Sequence, residues 1–133
     1  MASAPYRFAT RLNSFRARPG GKVSVAEAVR AIAAVPGISA IELNYPQHFV
    51  AADGTDILKL AAESGLAVTA LNLRYDGPQF VHGAFAHPDH GSREAAVRVS
   101  SEAVDLAAAN GIDHVILWMG PDGFDYPFQA DYR

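Results

Sequence analysis

Ile38-Ser39-Ala40-Ile41-Glu42-Leu43-Asn44-Tyr45 alternates apolar and polar side chains with period two, the pattern of a β-strand. Ile41 and Leu43 fall on one face; Ala40, Glu42 and Asn44 fall on the other. Leu66 to Tyr75 repeats the arrangement, with Leu71 and Leu73 facing one way and Ala70, Asn72 and Arg74 the other. Near the start, Tyr6 to Phe15 also alternates, and Ala9, Arg11 and Asn13 lie together. His114 to Met119 is a short apolar run after the helix-stop pair Asn110-Gly111, which reads as a buried parallel strand. Trp118 shares a face with Ile116. Three successive strands therefore turn polar on one face near their C-terminal ends.

Helices are expected between these strands. Ser24-Val25-Ala26-Glu27 is a capping box, in which the Ser24 hydroxyl accepts from the Glu27 backbone and the Glu27 carboxylate reaches back. The helix it opens carries Val25, Ala28, Val29, Ile32 and Val35 on one stripe and stops at Pro36-Gly37. Pro46 to Gly54 reads as loop. Thr55 or Asp56 can cap a second helix that runs to Ser64 and stops at Gly65. A longer loop spans Asp76 to Gly91. A third helix covers about Ser92 to Ala109, with Ala96, Val99, Ala103, Leu106 and Ala107 buried and Arg93, Glu94, Arg98 and Glu102 outward.

The order β-α-β-α-β-α-β implies a parallel sheet with right-handed crossovers. A doubly wound sheet carries helices on both faces, so both faces of its strands are apolar. A barrel carries helices outside only, and its interior turns polar toward the C-terminal mouth where substrates bind. The polar ends of three strands favour the barrel. A (β/α)8 barrel takes about 250 residues, so four βα units are the N-terminal half of one. The fold class expected is α/β, a single partial TIM-barrel domain over residues 1–133. It holds four strands and three helices and ends in the loop after the fourth strand. That loop is elaborate and no element follows it, so the natural chain is expected to be longer or to pair with another half. Two exposed parallel edges invite self-association.

Bulk composition excludes several classes. Half of the 133 residues are hydrophobic and 19% are charged, so the chain is globular rather than disordered. It has no cysteine, which excludes disulfides, thiolate zinc sites and cysteine nucleophiles. A net charge of -3 argues against nucleic-acid binding. Residues 1–26 hold Arg7, Arg11, Arg16, Arg18 and Lys22 and no acid. A transit peptide is possible on that ground, but the alternation of Tyr6–Phe15 fits a first strand better. No run has the length of a membrane span or a secretory apolar region, so a cytoplasmic location is expected. No Gly-rich phosphate loop, nucleophile elbow or zinc motif is present.

Two loops carry a family likeness. Gly83-Ala84-Phe85-Ala86-His87-Pro88-Asp89, followed by Arg93 in a helix, is the first. Leu117-Trp118-Met119-Gly120-Pro121-Asp122-Gly123-Phe124-Asp125-Tyr126-Pro127-Phe128-Gln129 is the second. Together they resemble the xylose isomerase-like TIM-barrel family of sugar isomerases and epimerases, nearest its L-rhamnose/apiose isomerase branch. The resemblance covers nearly the whole chain but only the N-terminal half of the family's barrel. It implies a metal-dependent aldose–ketose isomerisation of a sugar or sugar phosphate. The divalent metal, often Mn2+, is held by Glu, Asp and His on later strands. No metal ligand and no catalytic residue carries over to this chain, which alone is expected to bind no metal and to be inactive. Trp118 matches the strand-four Trp that packs against the sugar. Some relatives place a His near the end of strand three, where this chain has Asn72 and Arg74.

The substrate-wall candidates are Asn13, Glu42, Asn44, Asn72, Trp118 and Asp125, each with an ordinary structural alternative. Glu42 and Asn44 suit sugar hydroxyls, but Glu42 is equally an interior ion pair with Arg11 or Arg74. The alternative for Trp118 is a core residue, and the substrate wall is the favoured reading. Asp122, Asp125, Tyr126 and Gln129 form a lid-like loop, with turn chemistry as the alternative for the Asp residues. His87 and His90 with Asp89 look like a metal cluster, though Asp89 reads better as a helix cap. His48 and His82 lie in loops at the mouth. The leading reading is the N-terminal portion of a sugar isomerase, with a small-molecule sugar as partner and neither nucleic acid nor membrane. The alternative is a non-catalytic, truncated half-barrel that only associates. An endonuclease-like relative acting on DNA fits the acidic remainder poorly.

Overall fold

The structure, a computed structural model, describes residues 6–18, 21–50, 54, 56–120 and 122. Four strands form one sheet: β1 (Phe8–Arg11), β2 (Ile38–Tyr45), β3 (Ala67–Leu73) and β4 (His114–Leu117). Three helices join them: α1 (Val25–Ala33), α2 (Ile57–Glu63) and α3 (His90–Ala109). All pairings in this sheet are parallel and the spatial order is sequential, β1-β2-β3-β4. With crossovers of one hand, sequential order puts every helix on the same face. This is the winding of a (β/α)8 barrel, and the four strands are consistent with half of one.

The packing agrees. Val25, Ala28, Val29 and Ile32 of α1, Ile57 and Ala61 of α2 and Ala107 of α3 form one buried cluster with Ile41, Leu43 and Leu71. Leu73 continues the core with Tyr75, Phe80, Ala84, Ala95, Ala96 and Ala103. The apolar face of β2 and of β3 is thus the helix-covered one, whereas β4, expected to be buried, is mostly exposed. The opposite face carries Glu42, Asn44 and Asn72.

Helix ends follow the sequence signals. Ser24 and Glu27 complete the capping box. Asp56 caps α2 by accepting from Lys59 N, whereas Thr55 lies outside the described residues. Both α2 and α3 end in a glycine at positive φ, Gly65 (73°) and Gly111 (64°). In each case the next residue donates back five positions, Leu66 N to Ala61 O and Ile112 N to Ala107 O, both 2.9 Å. These Schellman closures bury Leu66 and Ile112 and aim the chain into the following strand.

The first strand is shorter than its alternation predicts. It ends at Arg11, and Asn13–Arg16 forms a single helical turn that leads into a short hairpin, Ala17–Arg18 with Gly21–Lys22. The reason is the spacing of Leu12 and Phe15. An extended chain puts them on opposite faces, whereas a helical turn puts residues three apart on one side. Leu12 is thereby fully buried and Phe15 packs against the same cluster. Helix α3 starts at His90, two residues early, because the Asp89 carboxylate caps Ser92 N at 2.8 Å. Arg93, expected outward, turns back and donates to His87 O and Pro88 O, each at 2.7 Å.

Candidate functional site

The polar face gathers at the C-terminal ends of the strands. Register sets Arg11 opposite Glu42, Asn44 opposite Asn72, and Asn72 opposite Ile116. Asn13, just beyond β1, reaches the same region from its helical turn.

A closed hydrogen-bond ring lies at one side. Pro46, Gln47 and His48 form the turn that follows β2, entered through a cis Tyr45–Pro46 peptide. His48 is 0% exposed and Asn44 2%. The Asn44 backbone N–H donates to His48 Nδ1 at 2.9 Å. Nδ1 is therefore the unprotonated nitrogen, and Nε2–H donates to Asn13 Oδ1 at 2.9 Å. Asn13 Nδ2 and Asn44 Nδ2 both donate to Gln47 Oε1, at 2.9 and 3.0 Å. Burial, with the charges of Arg16 and Arg74, lowers the His48 pKa from 6.5 to about 4, so the ring stays neutral. Every buried side-chain polar atom among the described residues has a partner.

Glu42 pairs with neither Arg11 nor Arg74 among the described residues. Its Oε2 instead accepts from Asn72 Nδ2 at 3.2 Å. The Arg74 backbone N–H donates to Tyr45 O at 2.9 Å, so the backbone is held beside β2 beyond the end of β3. The Arg74 guanidinium lies 4.3 Å from the centre of the Trp118 ring. Trp118 is 51% exposed in this chain.

Asp122 ties together the two loops that carry the family likeness. Its carboxylate accepts from three consecutive backbone N–H groups, Ala84 (2.6 Å), Phe85 (3.1 Å) and Ala86 (3.0 Å). Such a nest of amides is a local anion site, and here the chain's own carboxylate fills it. Asp122 is thus a clasp between the loop after β4 and the loop before α3. Asp125, Tyr126 and Gln129 lie outside the described residues.

His87 and His90 make local contacts. His87 Nδ1 accepts from Asp89 N, and His90 lies 3.3 Å from Glu94 along the exposed helix. His82 is exposed, its ring 5.9 Å from that of His87. Among the described residues, no three His, Asp or Glu groups come together as a metal set. Among the described residues of the polar face, both ring nitrogens of His48 are engaged and Glu42 is the one carboxylate, which does not make a ligand set for a divalent ion.

Of the expected wall residues, Asn13 and Asn44 are joined through Gln47 and His48. Glu42 is joined to Asn72, and Trp118 to Arg74. Gln47 was not an expected member of the site; its only signal was its place in the turn just after a strand's C-terminal end. No signal marked His48 as buried.

No family model matches the chain. Over 66 residues it is 36% identical to the xylose isomerase of Thermus thermophilus. The match covers 49% of this chain and spans only 17% of that enzyme's length. Half of this chain is therefore similar to a xylose isomerase.

Proposed function

We propose that the chain supplies part of the substrate wall of a metal-dependent sugar isomerase or epimerase, nearest the rhamnose/apiose branch, in an aldose–ketose isomerisation. One observation carries the reading. At the C-terminal ends of sequentially wound parallel strands, a helix-free face presents oriented amides, one carboxylate and a partly exposed tryptophan. Amides and carboxylates suit sugar hydroxyls, and an aromatic ring suits the C–H face of a sugar. The similarity to a xylose isomerase supports the same class.

The divalent metal of such a reaction would polarise the sugar's oxygen atoms. The described residues supply no ligand set for it, so no step is assigned to this chain through the metal. Its own share is to orient the substrate: Asn13, Asn44 and Asn72 by hydrogen bonds, Glu42 as acceptor and Trp118 as the stacking wall.

The test is an isomerase assay with added Mn2+ on a panel of aldoses and ketoses. It compares the 133-residue chain with a form extended by four further βα units carrying Glu, Asp and His. Turnover is expected only in the extended form. An extended form that turns over none of these sugars would defeat the proposal.

A second reading, a self-associating half-barrel, draws support from the outermost strands. Phe8 on β1 is 63% exposed and Leu117 on β4 is 47% exposed. Size-exclusion chromatography of the chain tests it, with a dimer or larger species expected and a monomer counting against it.

A further inference from the structure

We propose that Arg74 and Trp118 form a subsite for an oxyanion on the sugar, so that the ligand of this face is a phosphorylated or carboxylated sugar rather than a neutral one. This rests on the reading of the face as a sugar wall and narrows it to one substrate class.

Three observations lead there. First, the guanidinium lies over the Trp118 ring at 4.3 Å. A contact of this kind with an aromatic ring leaves the guanidinium N–H donors available, in the fork that matches a carboxylate or phosphate. Second, no acid takes that fork among the described residues. The described ion pairs are Lys59–Glu63, His90–Glu94 and Arg98–Glu102, all on helices. Glu42, the acid on the same face, is bonded to Asn72. A half-buried arginine that is held by stacking and lacks a carboxylate partner is set up for an anion from outside. Third, a second cation is near. Arg16 and Arg74 both act on His48 in the adjoining ring, and His48 itself is neutral. At the Arg74 end of the face an anion gains from these charges, whereas a neutral polyol does not.

The geometry divides the ligand between two places. The oxyanion sits at the Arg74 edge beside Trp118. The hydroxyl-bearing carbons extend toward Glu42, Asn72, Asn44 and Gln47.

The chain has one tryptophan, so a single indole signal reports on the subsite. The experiment titrates the full chain with an aldopentose, its 5-phosphate, the matching pentonate and inorganic phosphate, reading Trp118 fluorescence and its indole N–H cross-peak. The expected result is a midpoint at least tenfold lower for a charged sugar than for the neutral one. The phosphate and pentonate arms show which oxyanion is preferred. Arg74→Gln is expected to bring charged and neutral sugars to the same midpoint while leaving the amide spectrum of β2 and β3 in place. Equal midpoints in the wild type would overturn the subsite and leave the sugar wall standing. A preference that survives Arg74→Gln, or inorganic phosphate binding as well as the charged sugar, would also overturn it. If no sugar moves the Trp118 signal, both the subsite and the wall reading fall.

Discussion

His48 gives the sharpest prediction, because its environment fixes both its tautomer and its charge. Above pH 6.5 the imidazole is neutral in the folded and the unfolded chain, so it adds no pH dependence. Below 6.5 the unfolded chain takes up a proton and the folded chain does not. Stability therefore falls as pH falls, until about pH 4, where the folded ring is protonated too. Across that window, at about 1.4 kcal/mol for each pH unit, the loss reaches about 3 kcal/mol. That is a large share of the roughly 5–15 kcal/mol typical of a folded domain. Protonation would also place a second donor against the Asn44 N–H, which now donates to Nδ1. The assay is urea unfolding at a series of pH values from 7 to 4, for the wild type and for His48→Gln. Gln does not titrate, so the wild-type curve should fall more steeply, with the excess confined to pH 6.5–4. Long-range 1H–15N spectra of the ring should show Nδ1 bare and Nε2 protonated at pH 7. Parallel stability curves, or a ring that titrates near 6.5 in the folded chain, would refute the reasoning.

Other expectations follow from single contacts. Asp122→Ala removes the acceptor of three backbone N–H groups and should cost about 2–3 kcal/mol of local stability. Faster hydrogen exchange at Ala84, Phe85 and Ala86, with β2 and β3 unchanged, is the check. Leu71→Ala opens a cavity at a fully buried position shared by all three helices and should lower unfolding free energy by about 2–5 kcal/mol in urea. Gly120→Ala would place a Cβ 3.1 Å from Trp118 Cζ2, so the ring must give by a few tenths of an ångström and its contact with Arg74 changes. Unchanged tryptophan fluorescence and indole shift in that variant would contradict the packing. Ser24→Ala breaks the capping box and should cost about 1 kcal/mol, read by thermal unfolding.

The fold was legible because its signals are local and repeated. The alternation of Ile38–Tyr45 and Leu66–Tyr75 separates a helix-facing side from a polar side without reference to any distant residue. Ser24, Asp56 and Asp89 announce helix starts, and Gly65 and Gly111 announce stops, through hydrogen bonds that span only a few residues. The first strand misled for the opposite reason. Its alternation is real, but the demand to bury Leu12 and Phe15 together comes from α1 and β2, and that demand bends the chain after Arg11.

The candidate site was legible as a face, not as a set of bonds. Period two assigned Glu42, Asn44 and Asn72 to one side, and the structure keeps them there. Partner choice was not readable. Glu42 had Arg11 and Arg74 as available cations, yet it bonds Asn72. Trp118 had a core position as its alternative, and in this chain it is half exposed against a guanidinium. Such choices depend on side-chain reach between strands far apart in sequence, which a period cannot encode.

The sequence by itself determined the order of elements, their caps and which face of β2 and β3 meets the helices, because these rest on backbone geometry and near-neighbour bonds. Only the tertiary structure decided that His48 is buried and neutral, that Asn13 and Asn44 are oriented through Gln47, and that Asp122 clasps the loop before α3. Each of those outcomes needs groups from separate βα units brought within hydrogen-bond distance. Burial then makes an unpartnered polar atom costly enough to select one arrangement.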